Sequence, residues 1–281
     1  MDLNDRIGFM QGRLSPMVDG RIQCFPWGNW QKEFATAKSH GFHLMEWTID
    51  QDRLRENPLM TKAGQDEIRS LCAENTVSVP SLTADCFMQA PFWKEPSSTR
   101  EDLLNDFRDV VRSAGEIGIK FIVVPMVDNG SISSKDEEET AISILQDFAN
   151  EGEFDGLKIV FESDYGPHEL ARFIDRLDDN FFGINYDIGN SAALGFSPKE
   201  EFDSYGGRVC NVHIKDRHLG GTTVPLGEGD ADFDEVFSNL SRLGYGGNYI
   251  LQTARATNSD HAGVLCSYRD AMIKKIKMNF S

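Results

Sequence analysis

At 281 residues and 31.5 kDa, with 40% hydrophobic residues, the chain is long enough to bury one large core. Its 28 basic against 45 acidic residues give a formal charge of −17, which argues against nucleic acid and anionic membrane surfaces as partners, because their phosphates would be repelled. No window approaches the roughly 18 consecutive apolar residues of a spanning helix, no basic segment leads into an apolar leader, and the cysteines at 24, 72, 86, 210 and 266 form no C-x-x-C pair. The expectation is a cytoplasmic protein with reduced thiols.

Eight short apolar runs, rich in β-branched and aromatic residues, read as strands buried on both faces. In chain order they lie near Ile7–Met10, Phe42–Trp47, Val77–Leu82, Phe121–Pro125, Leu157–Glu162, Gly183–Asp187, Val209–Ile214 and Tyr249–Thr253. Helical patterns follow them at Trp30–Ser39, Lys62–Asn75, Ser98–Gly115, Ser134–Glu151, Pro167–Leu177, Pro198–Tyr205, Asp232–Leu243 and Ala262–Ile276. Pro167 and Pro198 suit a first helical turn, and Asp232 with Glu235 has the spacing of a capping box. Gly41, Gly118, Gly156 and Gly244 fall where helices must stop before the next strand. Strict alternation with no long linker predicts one (β/α)8 barrel domain over residues 1–281. A doubly wound sheet fits less well, since Met10-Gln-Gly-Arg-Leu14 lacks a G-x-G-x-x-G phosphate loop. The longest gap, from Gln11 to Asn29, is rich in Pro, Gly and aromatics and has the composition of a lid over the C-terminal face.

Four polar residues end consecutive strands: Glu162 in KIVFESD, Asp187 in GINYDIGNS, His213 in VCNVHIKDR and Gln252 in NYILQTAR. In a β/α barrel such ends converge on the face where catalysis takes place. Two carboxylates, an imidazole and an amide oxygen suit one divalent cation. Any one of them has a plain alternative as a strand cap; four in succession are harder to assign to capping.

With these flanks the chain resembles the xylose isomerase-like TIM barrel superfamily, and within it the sugar and sugar-phosphate isomerases and epimerases. The carriers are FES, YDIGNS, HIKDR and VPLGEGDADF, and Glu46 in LMEW resembles an acidic residue common after the second strand of such enzymes. The resemblance implies that Glu162, Asp187, His213 and Gln252 ligate one divalent ion (Mn, Mg, Co or Zn), and that positions 162 and 252 face each other across a sugar. Related epimerases carry glutamate at both positions, whereas here 252 is an amide, which cannot take a proton near neutral pH. Asn190 stands where relatives commonly have histidine.

Glu162 is therefore the expected base. Gln252 tilts the expectation toward one-base isomerisation unless Glu46, Asp85, Lys215 or His218 supplies a second group. Lys215, Arg217, His218 and Arg255 form a basic cluster after the last two strands, where barrels often bind phosphate, and Gln11 and Arg13 are further candidates for sugar hydroxyls. Pairing with Asp216, Glu228 or Asp230 explains Lys215 or Arg217 equally well. Phe25, Trp27, Trp47, Phe87, Phe92 and Trp93 fit either sugar stacking or loop packing, and His40, His43, His168 and His261 read as surface or helix-end residues.

The expected partner is thus a small sugar or sugar phosphate, and association into a homo-oligomer is compatible with the sequence. A metal-dependent polyol or inosose-type dehydratase is the alternative, followed by a sugar-binding barrel with reduced turnover. A DNA-repair endonuclease of the superfamily is disfavoured by the acidic charge and by six histidines in all.

Overall fold

The computed structural model describes residues 3–154 and 156–280. Residues 1, 2, 155 and 281 of the expected 1–281 domain lie outside the described residues. Eight parallel strands close into a barrel: β1 (Ile7–Met10), β2 (Leu44–Thr48), β3 (Ser78–Thr83), β4 (Phe121–Met126), β5 (Lys158–Ser163), β6 (Phe182–Asp187), β7 (Val209–Ile214) and β8 (Asn248–Leu251). The first and last strands pair directly, Ile7 opposite Tyr249 and Phe9 opposite Leu251, so the barrel itself has no free edge. Closure of the ring excludes the doubly wound topology.

Ten α-helices surround or cap the barrel: α1 (Trp30–Ser39), α2 (Lys62–Asn75), α3 (Asp85–Gln89), α4 (Ser97–Ile117), α5 (Lys135–Asn150), α6 (Pro167–Ile174), α7 (Ile188–Leu194), α8 (Pro198–Tyr205), α9 (Phe233–Arg242) and α10 (His261–Asn279). Eight match the expected pattern, and of the expected capping box at Asp232 and Glu235 the N-cap half is present. Asp232 caps α9 by accepting the Glu235 N–H at 2.9 Å, and Pro167 and Pro198 occupy first turns. The four glycines chosen as stops all take positive φ, between 67° at Gly244 and 85° at Gly118. The short helices α3 and α7 were not expected, because five and seven residues are too few for a helical period to register.

The outer core is aromatic. Phe107 of α4 stacks on Phe148 of α5 at 5.3 Å, and Phe154 closes the edge of that pair. Phe25, Trp47, Phe87, Phe92 and Trp93 are all buried in this core, which fits the packing reading, while Trp27 is half-buried with the Arg53 guanidinium 3.8 Å over its ring. Met10, Leu44 and Ile250 form a separate small cluster.

Gly64 offers a test of the packing in which the sign decides. It lies in the first turn of α2, where alanine ordinarily improves a helix by about 1 kcal/mol. Here a Cβ would meet the Pro58 carbonyl oxygen at 2.2 Å and its Cα at 2.5 Å. Gly64→Ala is expected to lower the urea midpoint, with an overpacking cost of about 1–3 kcal/mol. A raised midpoint would contradict this contact.

Candidate functional site

The strand ends place the quartet as their spacing requires. Asp187 is the last residue of β6 and lies in register with His213 of β7; Glu162 is the penultimate residue of β5, and Gln252 follows β8 directly. One donor atom each from Glu162, Asp187 and His213 lies within 4.8 Å of the others. His213 Nδ1 faces Glu162 Oε2 at 3.1 Å and Asp187 Oδ2 at 3.8 Å. Gln252 joins the group through Lys215, whose Nζ donates to Asp187 Oδ2 at 2.8 Å and to Gln252 Oε1 at 3.0 Å.

Beneath this group runs a buried polar ladder. His213 Nε2 contacts Glu46 Oε1 at 2.6 Å, and the same carboxylate accepts from Thr83 Oγ1 (2.6 Å) and Asn211 Nδ2 (2.9 Å). Donation of Nε2–H to Glu46 aims Nδ1 at the two carboxylates, so that loss of the Nδ1 proton would leave the tautomer a metal ligand needs. Burial lowers the proton affinity of His213, but the charges of Glu46 and Glu162 reverse this and raise it to about 10. So negative a field invites a cation. The donor set therefore fits one divalent ion, which Glu162, Asp187 and His213 could hold, with the Gln252 oxygen linked to the group through Lys215.

A cavity of about 470 Å³ opens above the group, walled by Arg13, Gln23, Asp85, Glu162, Lys215 and Gln252, with Asn190 and Arg217 beside them. Asn190 Nδ2 donates to Glu162 Oε1 at 2.6 Å while its own oxygen accepts from Arg217 Nη1 at 2.7 Å, so this amide links the base candidate to the basic cluster. Asp187 also caps α7, accepting the Asn190 N–H at 2.8 Å, which fixes that link.

Besides Asp187 and His213, which lie beneath the cavity, four expected site residues stand away from its wall. Glu46 is fully buried under His213. Gln11 is also buried, its oxygen accepting the Thr48 N–H at 3.0 Å. Arg255 donates to the Ser15 carbonyl at 2.8 Å and to the Ile22 carbonyl at 3.2 Å, so it fastens the loop after β1. His218 is largely exposed and lies 3.6 Å from Asp230. Arg13 does reach the wall, although its guanidinium is tied to Thr253 O, Ile22 O and Gln23 Oε1. Asp216, offered above as a partner for the basic cluster, instead accepts the N–H groups of Gly227, Gly229 and Ala231 and folds the GEGDA segment around itself.

Sequence reasoning missed Asn185 and Asn211. Asn185 Nδ2 contacts Glu162 Oε2 at 2.9 Å and His213 Nδ1 at 3.1 Å, and Asn211 Nδ2 contacts Asn185 Oδ1 at 2.9 Å. A signal existed: each precedes a quartet member by two residues inside an apolar strand, hence on the same face.

The model of the xylose isomerase-like TIM barrel family matches residues 34–268. The chain belongs to that family. It is 25% identical over 254 residues to the L-ribulose-5-phosphate 3-epimerase UlaE of Salmonella heidelberg (strain SL476), covering 86% of this chain and 88% of the relative. Among solved structures it is similar to the IolI protein with a bound zinc atom (TM-score 0.75, 16% identity, 98% and 99% coverage). It is also similar to a xylose isomerase-like barrel from Mycobacterium smegmatis in complex with magnesium (TM-score 0.72, 16% identity, 100% of each chain).

Glu46 gives the test of this geometry. In Glu46→Gln the amide places an N–H donor among three donors, so the imidazole loses its fixed orientation. Divalent-ion affinity is expected to fall by about 10–100-fold in calorimetric titration. Unchanged affinity would show that Glu46 does not set the imidazole.

Proposed function

We propose that this protein is a divalent-metal-dependent isomerase or epimerase of a sugar phosphate, working by proton abstraction next to a carbonyl. The observation that carries the reading is that the carboxylate of Glu162 belongs to the buried donor group and also forms part of the cavity wall. The similarity to a ribulose-phosphate epimerase supports the substrate class. So does Arg217, which lines the cavity with its guanidinium on the neutral acceptors Asn190 Oδ1 and Gly221 O, leaving its positive charge for an anionic group.

Bound by Glu162, Asp187, His213 and Gln252, the ion would polarise the carbonyl and acidify the neighbouring C–H. Glu162 then takes the proton. Its Oε1 already accepts one hydrogen bond, from Asn190, and a carboxylate oxygen keeps a second lone pair for the substrate. Lys215, set between Asp187 and Gln252 on the cavity wall, offers an ammonium to the oxygen on which negative charge develops. Glu46 acts only through His213 and is a positioning residue. The neutral amide at 252 leaves the donor set with two negative charges, one fewer than a glutamate there would give, which favours an anionic substrate.

In D₂O with a panel of ketoses and ketose phosphates, the native protein is expected to exchange the hydrogen next to the carbonyl. Chelator should stop this, and Mn²⁺, Mg²⁺, Co²⁺ or Zn²⁺ should restore it. Glu162→Gln should slow exchange by about 10²–10⁴-fold, or more if the metal weakens. A Glu162→Gln protein that keeps its metal and exchanges normally would place the base elsewhere.

A further inference from the structure

Inversion of a carbon needs proton transfer on both faces, and the amide of Gln252 cannot supply the second. The hydrogen bonds that leave Gln252 end on a carboxyl group that can. Gln252 Nε2 donates to Gln23 Oε1 at 2.8 Å, and Gln23 Nε2 donates to Asp85 Oδ2 at 2.8 Å. Gln23 hangs from the loop after β1, the strand opposite β5 in the ring, and its two hydrogen bonds tie Asp85, after β3, to Gln252, after β8. Arg13 steadies the middle of the chain, donating to Gln23 Oε1 at 3.2 Å. Asp85 opens α3 at the C-terminal end of β3 and lines the same cavity as Glu162. Its Oδ1 accepts no hydrogen bond among the described residues, although the residue is only 7% exposed.

We propose that Asp85 is the second proton-transfer group of this site, acting on the face of the substrate carbon opposite Glu162. This rests on the isomerase or epimerase reading above and decides between its two forms in favour of inversion. Glu162 removes the carbon-bound proton, and the C–H electron pair moves into the adjacent C=C bond as the carbonyl oxygen takes negative charge. That electron pair then takes the carboxyl proton of Asp85 on the other face, the carbonyl re-forms, and the carbon is inverted. Glu162 is left protonated and Asp85 ionised, and both exchange with water in the open cavity to begin again.

The surroundings suit the task. Burial raises Asp85 to about 7; the charges of Asp50 and Glu162 add to this, while the Gln23 hydrogen bond and His213 oppose it. Arg13 is a further cation whose field reaches Asp85. A carboxyl group near 7 holds and releases a proton readily at neutral pH.

Asp85→Asn keeps an acceptor for Gln23 and removes only the proton. With metal-loaded protein in D₂O and the ketose phosphate panel, the variant is expected to exchange deuterium into recovered substrate through Glu162, while inverted product forms about 10²–10⁴-fold more slowly. Inverted product at the native rate would overturn the assignment, and so would joint loss of exchange and product, which marks a structural role. Carboxyl ¹³C NMR of Asp-labelled protein gives a readout independent of turnover. The resonance missing from Asp85→Asn should titrate near neutrality; titration near the ordinary value of about 3.9 would overturn the proposal. If the native protein neither exchanges nor inverts any ketose, the isomerase or epimerase reading fails and this assignment with it. If the native protein inverts and Asp85→Asn does so equally well, only the assignment fails.

Discussion

The structure depends on one buried contact, Glu46 against His213 at 2.6 Å, with both side chains fully sealed from solvent. It joins β2 to β7 across the barrel interior, a union of two strands that share no backbone hydrogen bonds. A buried carboxylate is tolerable only when its acceptor sites are filled, and Thr83 and Asn211 fill the rest. The ladder continues through Asn185 to Glu162, so five strands carry a single polar network from the barrel floor to the cavity wall. Removing one partner of such a buried ion pair typically costs about 3–5 kcal/mol, because the other is left uncompensated. Stability and the direction of the His213 lone pair are therefore set by the same atoms.

That network separates what was legible in the sequence from what was not. The barrel could be read because eight apolar runs and four stop glycines are local signals. The quartet could be read because barrel topology turns consecutive strand ends into neighbours. Glu46 was noticed as an acid, but nothing local showed whether it faced a substrate or a histidine; its depth follows from barrel closure, with Met10 of β1 in register beside it. Arg13 and Arg255 were expected among the substrate contacts for their charge. Their partners are backbone carbonyls, Ser15 and Ile22 of the loop after β1 and Thr253 just past β8, which sequence spacing does not encode. Gln23 was invisible for the same reason: its importance lies in contacts with residues 62 and 229 positions away.

The loop after β1 is better described as a fixed wall than as the expected lid. Glu33 accepts the N–H groups of Gly12 (2.8 Å) and Leu14 (3.0 Å), and Asp50 accepts that of Phe25 (2.8 Å). With the two arginines, these contacts hold the loop at both ends, over residues 12–15 and 22–25. Glu33 is almost fully buried and raised to about 7 by that burial, a cost that only a full set of backbone donors offsets. A segment held in this way keeps its side chains in place instead of closing over a ligand. Gln23 can therefore set the spacing between Gln252 and Asp85.

The acidic surface and the mixed charge of the cavity wall, where three cations stand among Asp85, Asp128, Glu162 and Asp164, are two sides of one arrangement. A chain of net charge −17 repels anions at long range, yet Arg13, Lys215 and Arg217 all face the cavity. The Debye length in physiological salt is about 8 Å, so the surface field is largely screened before it reaches a ligand at the mouth. Inside, the low dielectric lets the three cations act at close range. Lys215 is neutralised by Asp187, and Asn190 ties Arg217 to Glu162 without cancelling its charge, because an amide carries none. Had residue 190 been an acid, the cluster would have lost its positive character and Glu162 would have faced a like charge. A neutral amide at 190 and another at 252 thus link the charged groups of the site through hydrogen bonds without adding a charge of their own.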